Sequence, residues 1–405
     1  RPPRRPRPAE LTAPAMRIVM VSEFAYPILG GISEHVHFLS RELAALGHDV
    51  TVLTSNTGDT RDHDAVLMEE SGYRVLRLGK SLPVVSNGSI SRVSVGIGLK
   101  ARVARAIRGA DVVHAQGLAP PTLPLFALRA TRAPVNTGTF HTYFDGGHWA
   151  YRVFFKYVKT ALNALDRKIA VSQACVDALA RYFPGPYDIV PNGIDCDLFR
   201  PLGPGEEAPS GPPRILFVGR FDPRNELGAL LDAAAILRDE GREFVVQVVG
   251  DGPARPIYER QARRLGLWDR VEWHGLVLEG RPRLYREATV FAAPCTLASF
   301  GVVLLEALAS GTPVVCADNI GFRQVIRDGM PGRFVRPHDP ADLAAGIGEA
   351  LDLGDRRAAV AELGRALTEE HYSWPTVART IEGLYLDVMA EKGLLAPAED
   401  VAEAV

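Results

Sequence analysis

Residues 291–317 read FAAPCTLASFGVVLLEALASGTPVVCA. A short apolar run leads through a loop of small residues into a helical pattern, and a second apolar run follows. This order is typical of a strand, a helix and a strand in a parallel sheet. Ser299 is the expected N-cap, so the backbone amides of Phe300, Gly301 and Val302 have no partners inside the helix. The stretch therefore predicts a parallel α/β domain with an anion site at the helix start.

The same helix carries one acidic residue, Glu306, among Val, Leu and Ala neighbours. A carboxylate in such surroundings is costly unless it faces a polar site that uses it, although an ordinary buried α/β unit remains the alternative interpretation. The pattern S-F-G-x-x-L-L-E-A-x-A-S-G-T-P-V-V resembles the donor-site motif of retaining GT-B glycosyltransferases of family 4. In that family one glutamate contacts the transferred sugar and a second, eight residues later, contacts the nucleotide ribose. The resemblance gives Glu306 the second role and places Ala298 where the first glutamate stands.

The composition favours a protein with two globular domains. The chain has 405 residues, of which 47% are hydrophobic, so two separate cores can form. A net charge of -2 and a pI near 6.6 argue against a dedicated nucleic-acid binder. The four cysteines form no C-x-x-C pair, so neither a zinc site nor a disulfide framework is indicated, and a reducing compartment is expected.

The two ends of the chain are expected to lie outside the folded domains. Residues 1–15 lack the apolar core of a signal peptide, so we expect a disordered arm and a functional start at Met16. No run of 18 apolar residues occurs, which excludes a spanning helix. The expected location is cytoplasmic, and peripheral contact at the inner face of the cell membrane is expected from the family resemblance of the basic segment described below.

Apolar runs and helical patterns alternate along most of the chain, which predicts Rossmann-like α/β domains. The resemblance implies the GT-B fold, in which the parallel sheets of two such domains face each other across a cleft. Residues 200–213 contain five prolines and three glycines, the composition of a linker. The predicted organisation is an arm at 1–15, an acceptor-side domain at 16–199, a linker at 200–213, a nucleotide-sugar domain at 214–370, a helix at 371–393 that crosses back to the first domain, and a tail at 394–405.

Two features of the predicted first domain are expected near the ligand. Gly30 and Gly31 precede a helical pattern, where backbone amides can approach an anion closely, although a plain tight turn is equally compatible with them. His141 follows an apolar strand, and His114 lies near the end of another, so both are expected at the ligand-binding edge of the sheet. The resemblance implies that the two glycines meet the donor phosphates and that His141 lies beside the reacting sugar. A structural role remains the alternative for each histidine.

The predicted second domain opens with a strand followed by G-R-F-D-P-R-N-E-L-G. In family 4 this turn supplies an arginine and then a lysine to the donor diphosphate. Arg220 matches the arginine, while Arg224 and Asn225 stand at the place of the lysine, so the second cation is either Arg224 or missing. Gly250 and Gly252, in a G-D-G-P turn, are expected to border the nucleotide.

A local excess of positive charge marks residues 72–110, which contain eight basic residues and no acidic ones. On a helical wheel Leu99, Val103, Ala106 and Ile107 fall on one face, and Lys100, Arg102, Arg105 and Arg108 fall on the other. Such a helix can lie on an anionic membrane, or it can pack on the core with a solvated basic face. The preceding S-N-G-S-I-S-R resembles the phosphatidylinositol mannosyltransferases, in which this region contacts the membrane.

Asp195 and Asp197 form a D-x-D pair, the metal motif of another glycosyltransferase fold. The pair lies in the segment that joins the first domain to the second in the family. The resemblance implies no obligatory metal, so no metal site is predicted. The donor would be a nucleotide-diphosphate sugar.

Together the motifs predict a hexosyltransferase, and the resemblance implies that it is retaining, with GDP-mannose as the expected donor and a phosphatidylinositol-like or other lipid or polyol acceptor. Two alternatives remain. One is a family 4 transferase that uses a UDP-sugar and a soluble acceptor, and the other is a degenerate nucleotide- or lipid-binding protein without catalysis.

Overall fold

The computed structural model describes residues 14–28, 30–58, 60–86, 89–118, 122–141, 149–206, 209–277, 280–326 and 329–395. Most of the predicted arm at 1–15 and most of the tail at 394–405 lie outside these residues, as do Asn87 and Gly88 of the S-N-G-S-I-S-R motif.

The strands, in chain order, are β1 Arg17–Val21, β2 Asp49–Asn56, β3 Arg74–Ser86, β4 Ser89–Val95, β5 Val112–Gln116, β6 Val135–Phe140, β7 Arg167–Ala170, β8 Asp188–Ile189, β9 Arg214–Val218, β10 Val245–Val249, β11 Val271–Gly275, β12 Val290–Ala293, β13 Val314–Ala317 and β14 Gly332–Val335. The helices are α1 Gly31–Ala45, α2 Arg61–Ser71, α3 Leu99–Ala106, α4 Leu123–Ala130, α5 Trp149–Val153, α6 Phe155–Leu162, α7 Gln173–Ala180, α8 Leu227–Asp239, α9 Arg255–Arg264, α10 Arg281–Glu287, α11 Val302–Ala309, α12 Pro340–Leu351, α13 Arg356–Tyr372 and α14 Trp374–Glu391. Short 3₁₀ turns cover Pro223–Asn225, Trp268–Arg270 and Phe322–Gln324.

These elements form two sheets with the same central arrangement. The first sheet has the order β4-β3-β2-β1-β5-β6-β7-β8 and is parallel except for the β3–β4 pair. The second has the order β11-β10-β9-β12-β13-β14 and is entirely parallel. In each sheet the first strand of the unit is central and the chain then moves outward on both sides, which is the doubly wound Rossmann order. The prediction of two Rossmann-like domains is therefore confirmed.

The chain divides into two units, each built around one sheet. The first takes in the chain up to Ala170, Leu179–Val190 and the segment from Ala378 onward, and the second comprises Val171–Ala178 and Pro191–Val377. The first unit thus includes most of α14, the helix that was predicted to return to it. The segment 191–213, which was predicted to be the end of the first domain and a linker, is part of the second unit.

Apolar side chains cover both faces of the second sheet. On one face the strand residues Ile215 and Val246 pack with buried leucines of α8, and on the other Leu216 and Phe291 pack with α11. Burial on both faces explains why the central strands β9, β10, β12 and β13 read as continuous apolar runs in the sequence.

The basic segment at 72–110 forms the β3–β4 hairpin and α3. Leu99, Val103 and Ile107 are buried and pack against Val19 and Val113 of the first core. The apolar face of α3 therefore belongs to the domain interior, as in the alternative of a helix that packs on the core, and contact of its basic face with an anionic membrane stays a prediction. Its basic residues, Lys100, Arg102, Arg105 and Arg108, are all exposed.

Candidate active site

The turn after β9 carries Arg220, and the glycines in the loop after β10 support it. Gly250 has a φ of +135°, and a Cβ there would lie only 1.9 Å from the carbonyl oxygen of Gly219. A Cβ on Gly252 would lie 2.8 Å from the carbonyl oxygen of Phe221. Because glycine alone leaves room for these contacts, Gly250 and Gly252 hold the backbone on which Arg220 is mounted. Their predicted contact with the nucleotide stays a prediction.

Two guanidinium groups in this turn share one carboxylate. Asp222 Oδ2 lies 3.6 Å from Arg220 Nη2 and 3.3 Å from Arg224 Nε. The side-chain amide of Asn225 donates to the backbone carbonyl of Arg220 at 2.7 Å and so braces the turn. Arg224 therefore lies beside Arg220, where the second cation of the family was sought, and the two arginines outnumber the one carboxylate that they share.

The loop between β12 and α11 is tied to the same turn. The backbone amide of Thr296 donates to the carbonyl of Arg224 at 2.9 Å, and the hydroxyl of Ser172 donates to the carbonyl of Ser299 at 2.6 Å. The N-cap of α11 is Gly301, with a φ of +130° and no side-chain cap. The prediction that Ser299 caps the helix is wrong, because the left-handed turn at the glycine starts the helix two residues later.

The two loops enclose a cavity of about 310 Å³, a volume at the lower end of the range for small-molecule sites. Its lining includes eight of the predicted donor residues, namely Arg220, Arg224, Asn225, Ala298, Ser299, Phe300, Gly301 and Val302. Two guanidinium groups and the start of α11 thus border one cavity, an arrangement suited to a diphosphate. In the described structure Gly250, Gly252 and Glu306 are not part of this lining.

Glu306 lies on α11 but is almost fully buried, and its carboxylate pairs with Arg281. Arg281 Nη2 lies 2.9 Å from Glu306 Oε1, and the side chain of Glu306 is 3% exposed. The charge that required a polar site is therefore compensated by a residue at the start of α10. Nothing in the sequence near Arg281 pointed to this partner. The ribose contact of Glu306 stays a prediction.

In the first unit, Gly30 is the N-cap of α1, and His141 follows β6. His141 Nε2 lies 2.7 Å from Gln116 Oε1, and its ring packs edge-on against His35 at 4.6 Å between centroids. Burial, helped by the neighbouring histidines, holds the pKa of His141 well below its usual range. His141 is therefore neutral near pH 7 and offers hydrogen bonds rather than a positive charge.

Gln116 and His35 were not identified from the sequence, although each left a weak signal. Gln116 is a polar residue at the carboxyl end of an apolar strand, the usual position of ligand-binding groups in a parallel sheet. His35 stands one helical turn after Gly31, so it faces the same side of α1.

His114 lies in the middle of β5, and the prediction that it lies at the ligand-binding edge is wrong. Its ring nitrogens are 2.6 Å from the Tyr385 hydroxyl and 2.7 Å from the Thr139 hydroxyl, and burial lowers its pKa to about 3. His114 thus joins β5 to β6 and α14 as a neutral structural residue.

The D-x-D pair forms a local turn. Asp195 Oδ1 accepts from the backbone amides of Asp197 and Leu198 at 3.1 and 3.0 Å. Within the described ranges no group of three potential metal ligands lies together, and none of the described helices is long and apolar enough to cross a membrane.

Comparisons with known proteins identify the family. The family described as Glycosyltransferase Family 4 matches residues 29–198, and the family described as Glycosyl transferases group 1 matches residues 204–367. The phosphatidyl-myo-inositol mannosyltransferase of Mycobacterium tuberculosis is 30% identical over 380 residues, which cover 91% of this chain and 96% of the relative. The chain belongs to glycosyltransferase family 4. It is a glycosyltransferase, and its sequence is similar to the phosphatidyl-myo-inositol mannosyltransferases.

Further family 4 similarities agree with this assignment. The phosphatidyl-myo-inositol mannosyltransferase of Propionibacterium freudenreichii is 31% identical, covering 91% of this chain and 94% of the relative. A D-inositol 3-phosphate glycosyltransferase of Streptomyces griseus is 33% identical over 57% of this chain and 55% of the relative.

Solved structures establish the GT-B fold. A glycosyltransferase from Rickettsia africae has a TM-score of 0.73 at 19% identity, covering 93% of this chain and 99% of that chain. HepE of Anabaena, solved in complex with UDP, has a TM-score of 0.71 at 19% identity, covering 92% and 100%.

Proposed function

We propose that this glycosyltransferase moves a mannosyl group from GDP-mannose, with retention, to a phosphatidylinositol-like lipid at a membrane surface. The observation that carries the chemistry is the donor cavity, in which Arg220, Arg224 and the start of α11 lie together. The choice of mannose and of a lipid acceptor is supported by the similarity to the phosphatidyl-myo-inositol mannosyltransferases over nearly the whole chain.

In the proposed reaction the bond between the sugar C1 and the diphosphate oxygen breaks, and a bond from C1 to the acceptor oxygen forms on the same face. The proton of the acceptor hydroxyl passes to the leaving diphosphate, so no nucleophile from the protein is needed. Arg220 and Arg224 stabilise the charge that develops on the diphosphate, together with the amides at the start of α11. These fixed charges perform the task that a divalent cation has in other transferases, so the reaction is proposed to need no metal.

The acceptor side of the proposal rests on the first unit. His141 is neutral and held by Gln116, so its ring can share a hydrogen bond with a sugar hydroxyl without adding charge. The exposed basic face of α3 gives this unit a surface that attracts anionic lipid, each cation adding roughly 1 kcal/mol near the membrane. Contact would then be electrostatic, because the apolar face of α3 is buried.

Ala298 distinguishes this cavity from the family pattern. A methyl group accepts no hydrogen bond from a sugar hydroxyl, so other groups must orient the sugar. Cys295 and Thr296 are polar residues of the same loop. Both already contact backbone carbonyls, since Thr296 Oγ1 lies 3.4 Å from the carbonyl oxygen of Arg224 and Cys295 Sγ contacts that of Leu297. We propose that the enzyme is adapted around alanine rather than inactive.

The test is a matrix of donors and acceptors. GDP-mannose, GDP-glucose, UDP-glucose and UDP-N-acetylglucosamine are each incubated with phosphatidylinositol vesicles, soluble inositol phosphate and inositol, and the anomeric configuration of the product is read by NMR. Transfer from GDP-mannose to phosphatidylinositol with retained configuration is the expected result. Transfer only from a UDP-sugar to soluble inositol phosphate, or nucleotide binding without turnover, would contradict the proposal in favour of one of the two alternatives.

A further inference from the structure

Residues 295–301, between β12 and α11, form an irregular loop, most of which lines the donor cavity, and we call them the donor loop. Because Ala298 carries no polar side-chain group, the loop can contact a ligand at that position only through its backbone. No hydrogen bond among the described residues has an amide of 297–301 as its donor. These amides are therefore available to ligand oxygens, and their placement decides how a donor is held.

The side chain of Asn319 ties the donor loop to the segment that follows β13. β12 and β13 pair in parallel, with Ala293 opposite Cys316, so the segments after the two strands leave the sheet side by side. Asn319 Nδ2 donates to the carbonyl oxygen of Cys295 at 2.8 Å. Its Oδ1 accepts from the backbone amide of Phe322 at 2.9 Å. One side chain thus joins two segments that both line the cavity.

The surroundings of Asn319 make this bridge specific. The residue is only 8% exposed, so water does not readily replace either hydrogen bond. An apolar side chain at 319 would leave the carbonyl of Cys295 and the amide of Phe322 without these partners, and an unmade hydrogen bond of a buried group is costly. The donor loop would then move to find another partner for its carbonyl.

Gly321 holds the middle of the donor loop by close backbone contact. A Cβ at this position would overlap the carbonyl group of Ala298 and would lie 3.0 Å from the backbone nitrogen of Phe300. The φ of Gly321 is -72°, which any residue adopts, so the position needs glycine for space and not for its backbone conformation. The backbone at Ala298 therefore lies directly against the backbone at Gly321.

We propose that Asn319, together with Gly321, is a positioning residue for the donor: through the donor loop it sets where the amides of 297–301 lie relative to the two arginines of the cavity. Neither residue is among the described lining residues, so both act through the loop. The start of the loop is already tied to the arginine turn, since the amide of Thr296 donates to the carbonyl of Arg224 at 2.9 Å. The inference rests on the proposed function, because transfer requires the sugar–phosphate bond to be aligned among these groups.

Two substitutions test the inference by different routes. Asn319→Leu removes both hydrogen bonds at similar volume, and Gly321→Ala adds a methyl group where the loop backbone lies. Each should lower kcat for transfer from GDP-mannose about 10 to 100-fold, because a small displacement at the reacting bond is costly. The Kd of GDP, measured by calorimetry, should change less than about 3-fold, because the two arginines are mounted on a different turn. Asn319→Ser is the milder variant, since its hydroxyl can still accept from Phe322 but does not reach Cys295, and it should show the same split.

Asn136→Leu is the matched control. Asn136 is 7% exposed and also bridges two groups, since its Nδ2 donates to the carbonyl of Ala133 at 2.9 Å and its Oδ1 accepts from the hydroxyl of Thr131 at 2.7 Å. It lies near the start of β6 in the first unit. Asn136→Leu should lower the thermal stability comparably and leave kcat unchanged. An equal loss of kcat in Asn136→Leu, or an unchanged kcat in folded Asn319→Leu and Asn319→Ser proteins, would overturn the inference.

Hydrogen exchange tests the donor loop without turnover. In the unmodified protein GDP should protect both 219–225 and 297–301, whereas in Asn319→Leu the protection at 297–301 should be largely lost and that at 219–225 kept. Protection retained at both segments in Asn319→Leu would overturn the inference. Failure of the unmodified protein to transfer from any donor would contradict the proposed function instead, and the exchange result would still decide whether Asn319 positions the loop.

Discussion

Arg220 and Arg224 supply the positive charge of the donor cavity. Both lie against Asp222, and one carboxylate cannot neutralise two guanidinium groups. Arg220→Ala removes a charged hydrogen bond worth roughly 1.5 to 3 kcal/mol, so GDP affinity should fall about 10 to 150-fold by calorimetry. Arg264→Ala, an exposed arginine on α9 outside the cavity, is the control and should bind GDP normally. Unchanged affinity in a folded Arg220→Ala protein would end the assignment of Arg220 to the diphosphate.

A substitution at Ala298 tests whether the enzyme is active with alanine at this position or has lost its activity. In Ala298→Glu the new carboxylate enters a cavity whose cations are Arg220 and Arg224, and it competes with the diphosphate for them. Turnover with the native donor should therefore fall about 10-fold or more, or the donor preference should change. Turnover is measured over the donor panel, with Ala298→Gln as the uncharged control of similar size. If the unmodified protein were inactive and the Ala298→Glu protein active, the loss of the glutamate at position 298 would have cost the enzyme its activity.

Gln116 determines which nitrogen of His141 carries the proton. The amide nitrogen of Gln116 faces Met20 Sδ at 3.1 Å, so its Oε1 faces His141 and accepts from Nε2–H. His141 Nδ1 is then the nitrogen able to accept a hydrogen bond from a ligand. Gln116 is thus a positioning residue for His141.

Gln116→Glu gives the pH test of this role. A carboxylate at Nε2 favours the charged ring, so the pKa of His141 should rise toward its ordinary value and activity should gain an inflection between about pH 5 and 8. Below that inflection His141 is protonated and Nδ1 no longer accepts, so activity falls as the pH falls. Gln116→Leu should lower kcat without adding the inflection. A Gln116→Glu pH profile that matches the unmodified protein would contradict the role, and imidazole nitrogen NMR reports the tautomer independently of activity.

At the scale of elements, the two faces of α3 can be tested separately, because the apolar face packs on the core and the basic face is exposed. Val103 is fully buried, so Val103→Ala should lower the free energy of unfolding by about 2 kcal/mol through the lost packing, with vesicle binding unchanged.

Replacing Lys100, Arg102, Arg105 and Arg108 by Ser should weaken co-sedimentation with anionic vesicles, most clearly at low salt, with little loss of stability. Equal sedimentation of the serine variant and the unmodified protein across a salt series would return these residues to an ordinary solvated surface.

At the scale of the whole molecule, the alternation of apolar runs was sufficient to predict both parallel sheets. The central strands, such as β5, β6, β12 and β13, are buried on both faces, and such strands leave a continuous apolar signal in the sequence. The positions of the turn at Arg220 and of the loop at 298–302 were also predictable, because each is a short motif that follows an apolar strand, although the residue at which the helix after the loop begins was not. Their meeting in one cavity follows from the strand order, since β9 and β12 are neighbours in the second sheet.

Long-range pairings were not predictable. Glu306 meets Arg281 only after α10 and α11 have packed, and His114 meets Tyr385 across a separation of 271 residues. The start of α11 was misplaced for a different reason. Both Ser299 and Gly301 are common N-caps, and the left-handed conformation at Gly301 that decides between them has no sequence signal of its own.

The donor cavity is lined only by residues of the second unit, so GDP should protect segments of that unit from hydrogen exchange. At a concentration 100 times its Kd, GDP raises the free energy of any local opening that releases it by about 2.7 kcal/mol. Exchange at 219–225 and 296–303 should therefore slow up to about 100-fold, with α13, which does not line this cavity, as the internal reference. Additional GDP protection at Gly30 and Gly31 would support their predicted contact with the donor phosphates, whereas GDP protection that left 219–225 unchanged would contradict the donor cavity.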